Sequence, residues 1–305
     1  MWGLRVFARV FYVPAMLLGL NALAVLLVAS GYYYAWLGLL LGLAIGLSFV
    51  MERVLPYEYD WNQTHDDGAK DLAHGIVYEI ANLVALFVFI VISALLLPEW
   101  KLWPQSLPIV LQFLLAVVVV DCAMTIVHYF SHRVDWLWRL HAIHHGMQRL
   151  YGFNGFVRHP LHQALDIVVG TLPLVLIGLP VDVAVLLGFA IAVQLMVQHS
   201  NVDYTLGPFQ KLLAIGPVHR LHHVNWAGDG DVNFGLFFTV WDRLLGTFKL
   251  PGERRPRSGD VGIQDCPHYP QVYAKQLMAP FDPNGPCTGA TADEAAAVSM
   301  RPSNR

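Results

Sequence analysis

The sequence predicts an all-α fold: a multi-pass integral membrane helical bundle of four long spans plus a short apolar pair, with a histidine-rich cytoplasmic cap. Three observations predict it. Of 305 residues, 56% are hydrophobic and 13% charged, with a mean hydropathy of +0.49, about half the ~25% charge of an ordinary soluble domain. The apolar residues form runs near the ~20 that cross a bilayer as helix. Many of the 14 histidines crowd at the polar ends of those runs. A net charge of −3 gives no electrostatic reason to expect nucleic acid or an acidic partner.

In chain order, Arg5 and Arg9 precede an apolar run from about Val13 to Ser30. The run exceeds the ~7–15 residues of a signal-peptide core, so a retained first span is expected. Tyr32, Tyr33, Tyr34 and Trp36 suit a membrane–water interface. The second span, about Trp36 to Met51, carries Gly38, Gly42 and Gly46, a small-residue row that either admits a close helix or reflects general glycine enrichment. Residues 52–76 read as a polar loop holding His65 and His74 as surface residues, with approach of His74 to a metal site as the alternative. A third span follows from about Tyr78 to Leu97, then an aromatic turn containing Pro98, Trp100, Lys101, Trp103 and Pro104. The fourth span, about Leu107 to Val127, flows without a breaker into HYFSHRVDWLWRLHAIHH, five histidines in the eighteen residues His128 to His145. The apolar stretch Ala164–Val197 is interrupted at Gly178-Leu179-Pro180, giving two short spans or a re-entrant hairpin. His199 ends it, and HRLHH follows at His219 to His223. The chain therefore divides into N-terminal spans (1–51), a histidine-rich domain (52–250) and an irregular or disordered tail (251–305). Cys122, Cys266 and Cys287 are scattered and form no CxxC, so reduced thiols are expected.

With the N-terminus cytoplasmic, the turns near 31–35, 98–107 and 179–182 hold one basic residue, Lys101, whereas the opposite segments hold Arg53, Lys70, Arg133, Arg139, Arg149 and Arg158. The positive-inside rule then puts every histidine group on the cytoplasmic face, in a bacterial inner membrane or the endoplasmic reticulum.

The spacing of the histidines is helical. His128 and His132 lie four apart; His141, His144 and His145 occupy i, i+3, i+4, and so do His219, His222 and His223, so each set shares a helix face. Neutral imidazole is the commonest metal-ligating side chain, and eight are twice what one zinc takes. Two metals are the simpler count. Imidazole suits iron, copper and zinc alike. Asp121, two turns before His128 inside an apolar span, either orients a ligating imidazole or makes a helix-packing contact.

The motifs HX3H (His128, His132), HX2HH (His141, His144, His145) and HX2HH (His219, His222, His223), with eight residues between the first two and 73 before the third, resemble the membrane fatty acid hydroxylase and sterol desaturase superfamily. Supporting matches are LWRLHAIHH, the RHP at Arg158 to Pro160, QHSN at Gln198 to Asn201 and NFGLFFTVWDRLLGTF from Asn233 to Phe248. The likeness covers about residues 50–250. It implies that the eight box histidines ligate a di-iron (Fe) centre with His199 as a ninth ligand. The metals would activate O2 and abstract hydrogen from an unactivated C–H bond of a membrane lipid, and zinc can replace iron in purified protein. It also implies that His159 is a ligand or a residue supporting one. His162 stands where relatives commonly carry Glu, and Asn233, Trp241 and Asp242 are read mainly as tethers of the cap. Desaturation by the same boxes is the alternative outcome. A bis-histidine haem carrier and a metal transporter are other-class readings, ranked lower because the histidines cluster at one end. No haem, flavin or iron–sulfur module is evident in the sequence, so a separate electron donor of cytochrome b5, ferredoxin or flavin-reductase type is expected, docking near Arg254, Arg255 and Arg257.

Overall fold

The computed structural model describes residues 2–32, 34–96, 102–226, 230–264 and 266–283. Tyr33, Pro98, Trp100, Lys101, Cys287 and the end of the tail lie outside them. Helix α1 (Trp2–Pro14) runs through a π-helical stretch, Ala15–Leu20, into α2 (Asn21–Ala29); Pro14, which cannot donate a backbone bond, lies at the start of that wide turn. Then come α3 (Ala35–Val54), α4 (Gly68–Leu96), α5 (Ile109–Ser131), α6 (Asp135–His145), α7 (Pro160–Gly170), α8 (Leu172–Leu176) and α9 (Val181–His199). Short helices α10 (Gly216–His219), α11 (Val240–Leu245) and α12 (Tyr273–Met278) belong to the cap. Among the described residues there are no strands beyond isolated bridges.

Among the described residues, five helices are long and apolar enough to span a bilayer: Arg9–Ala29, Ala35–Val54, Gly68–Leu95, Ile109–Ser131 and Val181–His199. The protein is an integral membrane helical bundle. The stretch expected as two short spans or a hairpin folds as a hairpin of unequal arms, with α7 and α8 on one side and the 19-residue α9 on the other. At ~1.5 Å per residue α9 alone extends about 28 Å, enough to cross.

The third span begins at Gly68, ten residues before the expected start. Its first turns are polar because they face protein: Asp71 and His74 are 1% exposed, whereas Leu72 and Ile76 are more than half exposed. This is an amphipathic helix turned inside out, as suits an apolar surround. The row Gly38, Gly42, Gly46 meets nothing; a Cβ on any of them would have no neighbour within 4 Å. No described helix uses the row.

Hydrogen bonds sort the two ends of the bundle. At one, Tyr34 Oη donates to Asp182 Oδ1 at 2.7 Å, and Trp103 N and Gln105 Nε2 donate to the carbonyls of Ile177 and Gly178. At the other lie all the histidine segments. There Glu52, 2% exposed at the end of α3, accepts from Gly152 N at 2.6 Å and Asn201 N at 3.2 Å. One carboxylate thus joins the chain after the second histidine group to the chain after His199. Residues 251–283 are mostly irregular in path but packed on the cap. Gln276 Oε1 meets His74 Nε2 at 2.8 Å, and Tyr269 is buried. Cys266 is disulfide-bonded, so the expectation of three reduced thiols fails there.

Candidate metal centre

Nine imidazoles converge where α5, α6, α9 and α10 meet. They form two groups, His128, His132, His141, His145 and His222 in one and His144, His199, His219 and His223 in the other, each with ligand atoms all within 4.8 Å of one another. These are the eight box histidines and His199. The i, i+3, i+4 spacing divides neighbouring residues between the groups: His144 serves one and His145 the other. The groups touch, with His145 and His223 rings 4.7 Å apart.

The hydrogen bonds of the imidazoles decide whether the arrangement fits metal. A neutral imidazole carries one N–H. His128 Nδ1 sits 2.8 Å from Phe234 O and His222 Nδ1 2.9 Å from Val232 O, so each ring's proton is on Nδ1, donated to a carbonyl. Their bare Nε2 atoms then face each other at 2.8 Å. The same holds for His144 and His199, whose Nδ1 atoms donate to Val157 O and Leu195 O while their Nε2 atoms lie 3.1 Å apart. Lone pair against lone pair is repulsive unless a cation sits between them. Protonation does not supply one easily: burial, reinforced by neighbouring imidazoles, holds His141, His144, His145 and His223 well below the ordinary imidazole range. The residues therefore fit a pair of imidazole-ligated metal ions, with carbonyl oxygens fixing the tautomers.

The residues expected to support the ligands divide. His162 lies against the site: its ring is 4.8 Å from that of His141, its Nε2 is 2.9 Å from Ser131 Oγ and its Nδ1 3.4 Å from Asp166. Asp166 also pairs with Arg158. His159 does not join the centre. Its Nδ1 accepts from Leu161 N at 3.1 Å and its Nε2 faces Leu277 O at 3.2 Å; with Pro160 at the first helical position, it is the N-cap of α7. His74 is buried rather than on the surface as expected, and it too is bound elsewhere, to Arg158 O and Gln276.

Asp121 touches no imidazole, which corrects the expectation that it orients a ligand directly. It accepts from the backbone of Leu236, Phe237 and Phe238 and from Trp241 Nε1, at 2.6–3.1 Å. Those residues belong to the loop that supplies the carbonyls of Val232 and Phe234, so Asp121 acts one layer further out. Asn233, in left-handed backbone at φ 60°, donates to Val218 O and Lys249 O. Asp242 accepts from Phe234 N and Gly235 N.

Three supports were not foreseen. Gln198 donates to the carbonyls of Gly235 and Leu236. Arg220, wedged between His219 and His222, donates to Ser200 O and Val202 O at 2.8 Å and lies 3.9 Å over the Tyr57 ring. Glu52 is the third. A polar side chain directly at the end of an apolar run is the signal for Gln198 and Glu52.

The fatty acid hydroxylase family profile matches residues 113–247, from within α5 to beyond α11. Over those residues the chain is similar to the fatty acid hydroxylase family. Proteins similar to this chain include an ornithine lipid hydroxylase of Rhizobium tropici, 28% identical over 84% of this chain and 78% of that protein. An alkylglycerol monooxygenase of Danio rerio is 30% identical over 44% of this chain and 30% of its own length. A sphinganine C4-monooxygenase of Arabidopsis thaliana is 27% identical over 48% of this chain and 58% of its own. No solved structure matches.

Among the arginines expected to dock a donor, Arg254 lies 3.7 Å over Trp226 and pairs with Asp260. Arg255 pairs with Asp203.

Proposed function

We propose that this protein is a di-iron monooxygenase that hydroxylates an unactivated C–H bond of a membrane lipid, with residues 52–250 as its catalytic unit and the metal centre on the cytoplasmic face. The observation that carries this is the pair of imidazole groups whose bare Nε2 atoms face one another at the end of a membrane bundle. When bound, iron would supply the activation of O2, in a reaction that consumes R–H, O2, two electrons and two protons and yields R–OH and water. The protein's own groups hold the imidazole tautomers, exclude water and present the lipid.

Access from the bilayer supports the lipid. A cavity of about 90 Å³ opens among α4, α5, α7 and α9, lined by Asn82, Phe89, Gln163, Thr171 and Gly188 among others. A smaller one of about 20 Å³ lies directly against His128, His144 and His199. Both are lined by Met124 and Asp166, so the two adjoin across those side chains. A Cβ at Gly188 would meet nothing within 4 Å. Gly188→Phe is therefore expected to fill the entry without disturbing the fold, lowering kcat/KM for the lipid roughly tenfold or more with metal content unchanged.

Electrons come from a separate protein. A separate cavity of about 400 Å³, sharing no lining residue with that entry, reaches His132, Trp138, His145 and His222, and His132 Nδ1 lies 2.9 Å from the largely exposed Asp231. A donor at this mouth would stand closest to the ligands. A transporter would need ligands along a path through the bilayer, whereas the nine imidazoles gather at one end. Labelled O2 with mass spectrometry of the product decides between hydroxylation and desaturation: one labelled oxygen in the lipid is expected, and an unlabelled alkene would overturn the reading.

A further inference from the structure

A second cavity, of about 570 Å³, is built from four distant parts of the chain: Arg5 and Arg9 on α1, Leu55 to Tyr59 after α3, Asp203 after α9, and Arg255 to Arg257. It shares no lining residue with the cavity at the metal ligands. Four guanidiniums line it against two carboxylates, Glu58 and Asp203. Asp203 is already engaged twice, by Arg9 at 2.5 Å and Arg255 at 3.0 Å. Glu58 Oε1 faces the backbone N–H of Asp60 at 3.5 Å. The side chains of Arg5 and Arg257 have no ion pair among the described residues. The cavity therefore keeps positive charge that the fold does not neutralise.

Its level in the membrane identifies the anion. Arg9 is the first residue of one apolar span and Val54 the last of the next, and the cavity wall continues directly from both. It thus opens where the two spans leave the hydrocarbon, which is the headgroup layer. The rim carries exposed Val6 and Tyr59, at 45% and 68%, an apolar and an aromatic contact suited to that depth. A freely dissolved anion needs neither. We propose that this basin binds the phosphate of an anionic phospholipid, held by Arg5 and Arg257 with Arg9 and Arg255 behind them, as an ancillary site separate from catalysis.

The site is mechanically joined to the metal centre. Tyr57 lies between the guanidiniums of Arg255, at 4.4 Å, and Arg220, at 3.9 Å, and Arg220 holds the carbonyls of Ser200 and Val202 just beyond His199. A bound phosphate would draw α1, the 55–59 segment and the tail around Asp203, steadying the chain that carries His199.

The test uses full-length metal-loaded protein in nanodiscs of phosphatidylcholine alone or with phosphatidylglycerol, read by native mass spectrometry and by melting temperature. Retained phosphatidylglycerol and a higher melting temperature in the mixed discs are expected. Each basic side chain at a membrane surface contributes roughly a factor of five, so Arg5→Gln with Arg257→Gln is expected to weaken retention about thirtyfold. Neither side chain has an ion pair among the described residues, so metal content and melting in phosphatidylcholine should stay as in the parent. Undiminished retention in the double variant would overturn the site. Full displacement by millimolar inorganic phosphate would reassign it to a dissolved anion. Unchanged lipid retention with slower reduction by the donor protein would make it a protein-docking surface instead.

Discussion

Replacing His144 by alanine is expected to halve the metal content and reduce lipid turnover by more than about 100-fold, the upper range for losing even a group that only supports a metal ligand. His144 belongs to the four-membered group, so its loss leaves three imidazoles there and five in the other. Its Nε2 opposes that of His199 at 3.1 Å. Removing one of two facing lone pairs relieves a repulsion in the metal-free protein while removing a ligand from the loaded one. The melting temperature of apoprotein should therefore hold or rise, whereas that of loaded protein should fall. Elemental analysis and thermal unfolding with and without metal check both signs; unchanged metal and turnover would contradict the centre. His159→Ala is the matched control. As an N-cap it is expected to cost about 1 kcal/mol and leave the metal in place.

The contrast between these two histidines shows what the sequence made legible. The eight box histidines were readable from their spacing, although only His141, His144 and His145 share one helix, α6: His132 follows the end of α5, and His222 and His223 fall on turns after α10; His199 was readable because it closes an apolar run of matching motif. His159 had its own signal: a proline directly after it marks a helix start, yet the resemblance drew it toward the metal. Other roles depended on distant chain. Asp121 finds its partners 115–120 residues away, and no local pattern states which donors will reach an intramembrane carboxylate. The polar opening of α4 hid the start of a span because Lys70, Asp71 and His74 face the cap while Leu72 and Ile76 face outward, reversing the soluble-protein pattern. Residues 251–283 lack any period, yet they bury Tyr269 and Gln276 by meeting partners from other segments.

Asp121→Ala is expected to cost about 3–5 kcal/mol, the range for breaking a buried, fully paired charge, out of the 5–15 kcal/mol typical of a whole protein. The carboxylate is 0% exposed and satisfies three backbone N–H groups and one indole N–H. Alanine would leave all four donors facing an apolar helix, where each unmade bond costs roughly 1–3 kcal/mol. The damage should reach the metals through geometry. The loop so released carries Val232 and Phe234, whose carbonyls fix the rings of His222 and His128. Freed of those acceptors, both imidazoles can change tautomer and present N–H where a lone pair is needed, so metal should be lost from the five-membered group first. Asparagine does not rescue this: its oxygen can still accept from Leu236 and Phe237, but its amide would oppose the N–H groups of Phe238 and Trp241. Adding Trp241→Phe to Asp121→Asn removes one of those conflicts, and a positive coupling of about 1 kcal/mol is expected in a double-mutant cycle of thermal stability. Full metal and stability within 1 kcal/mol in Asp121→Ala would show instead that the helix, not the loop, holds those two rings.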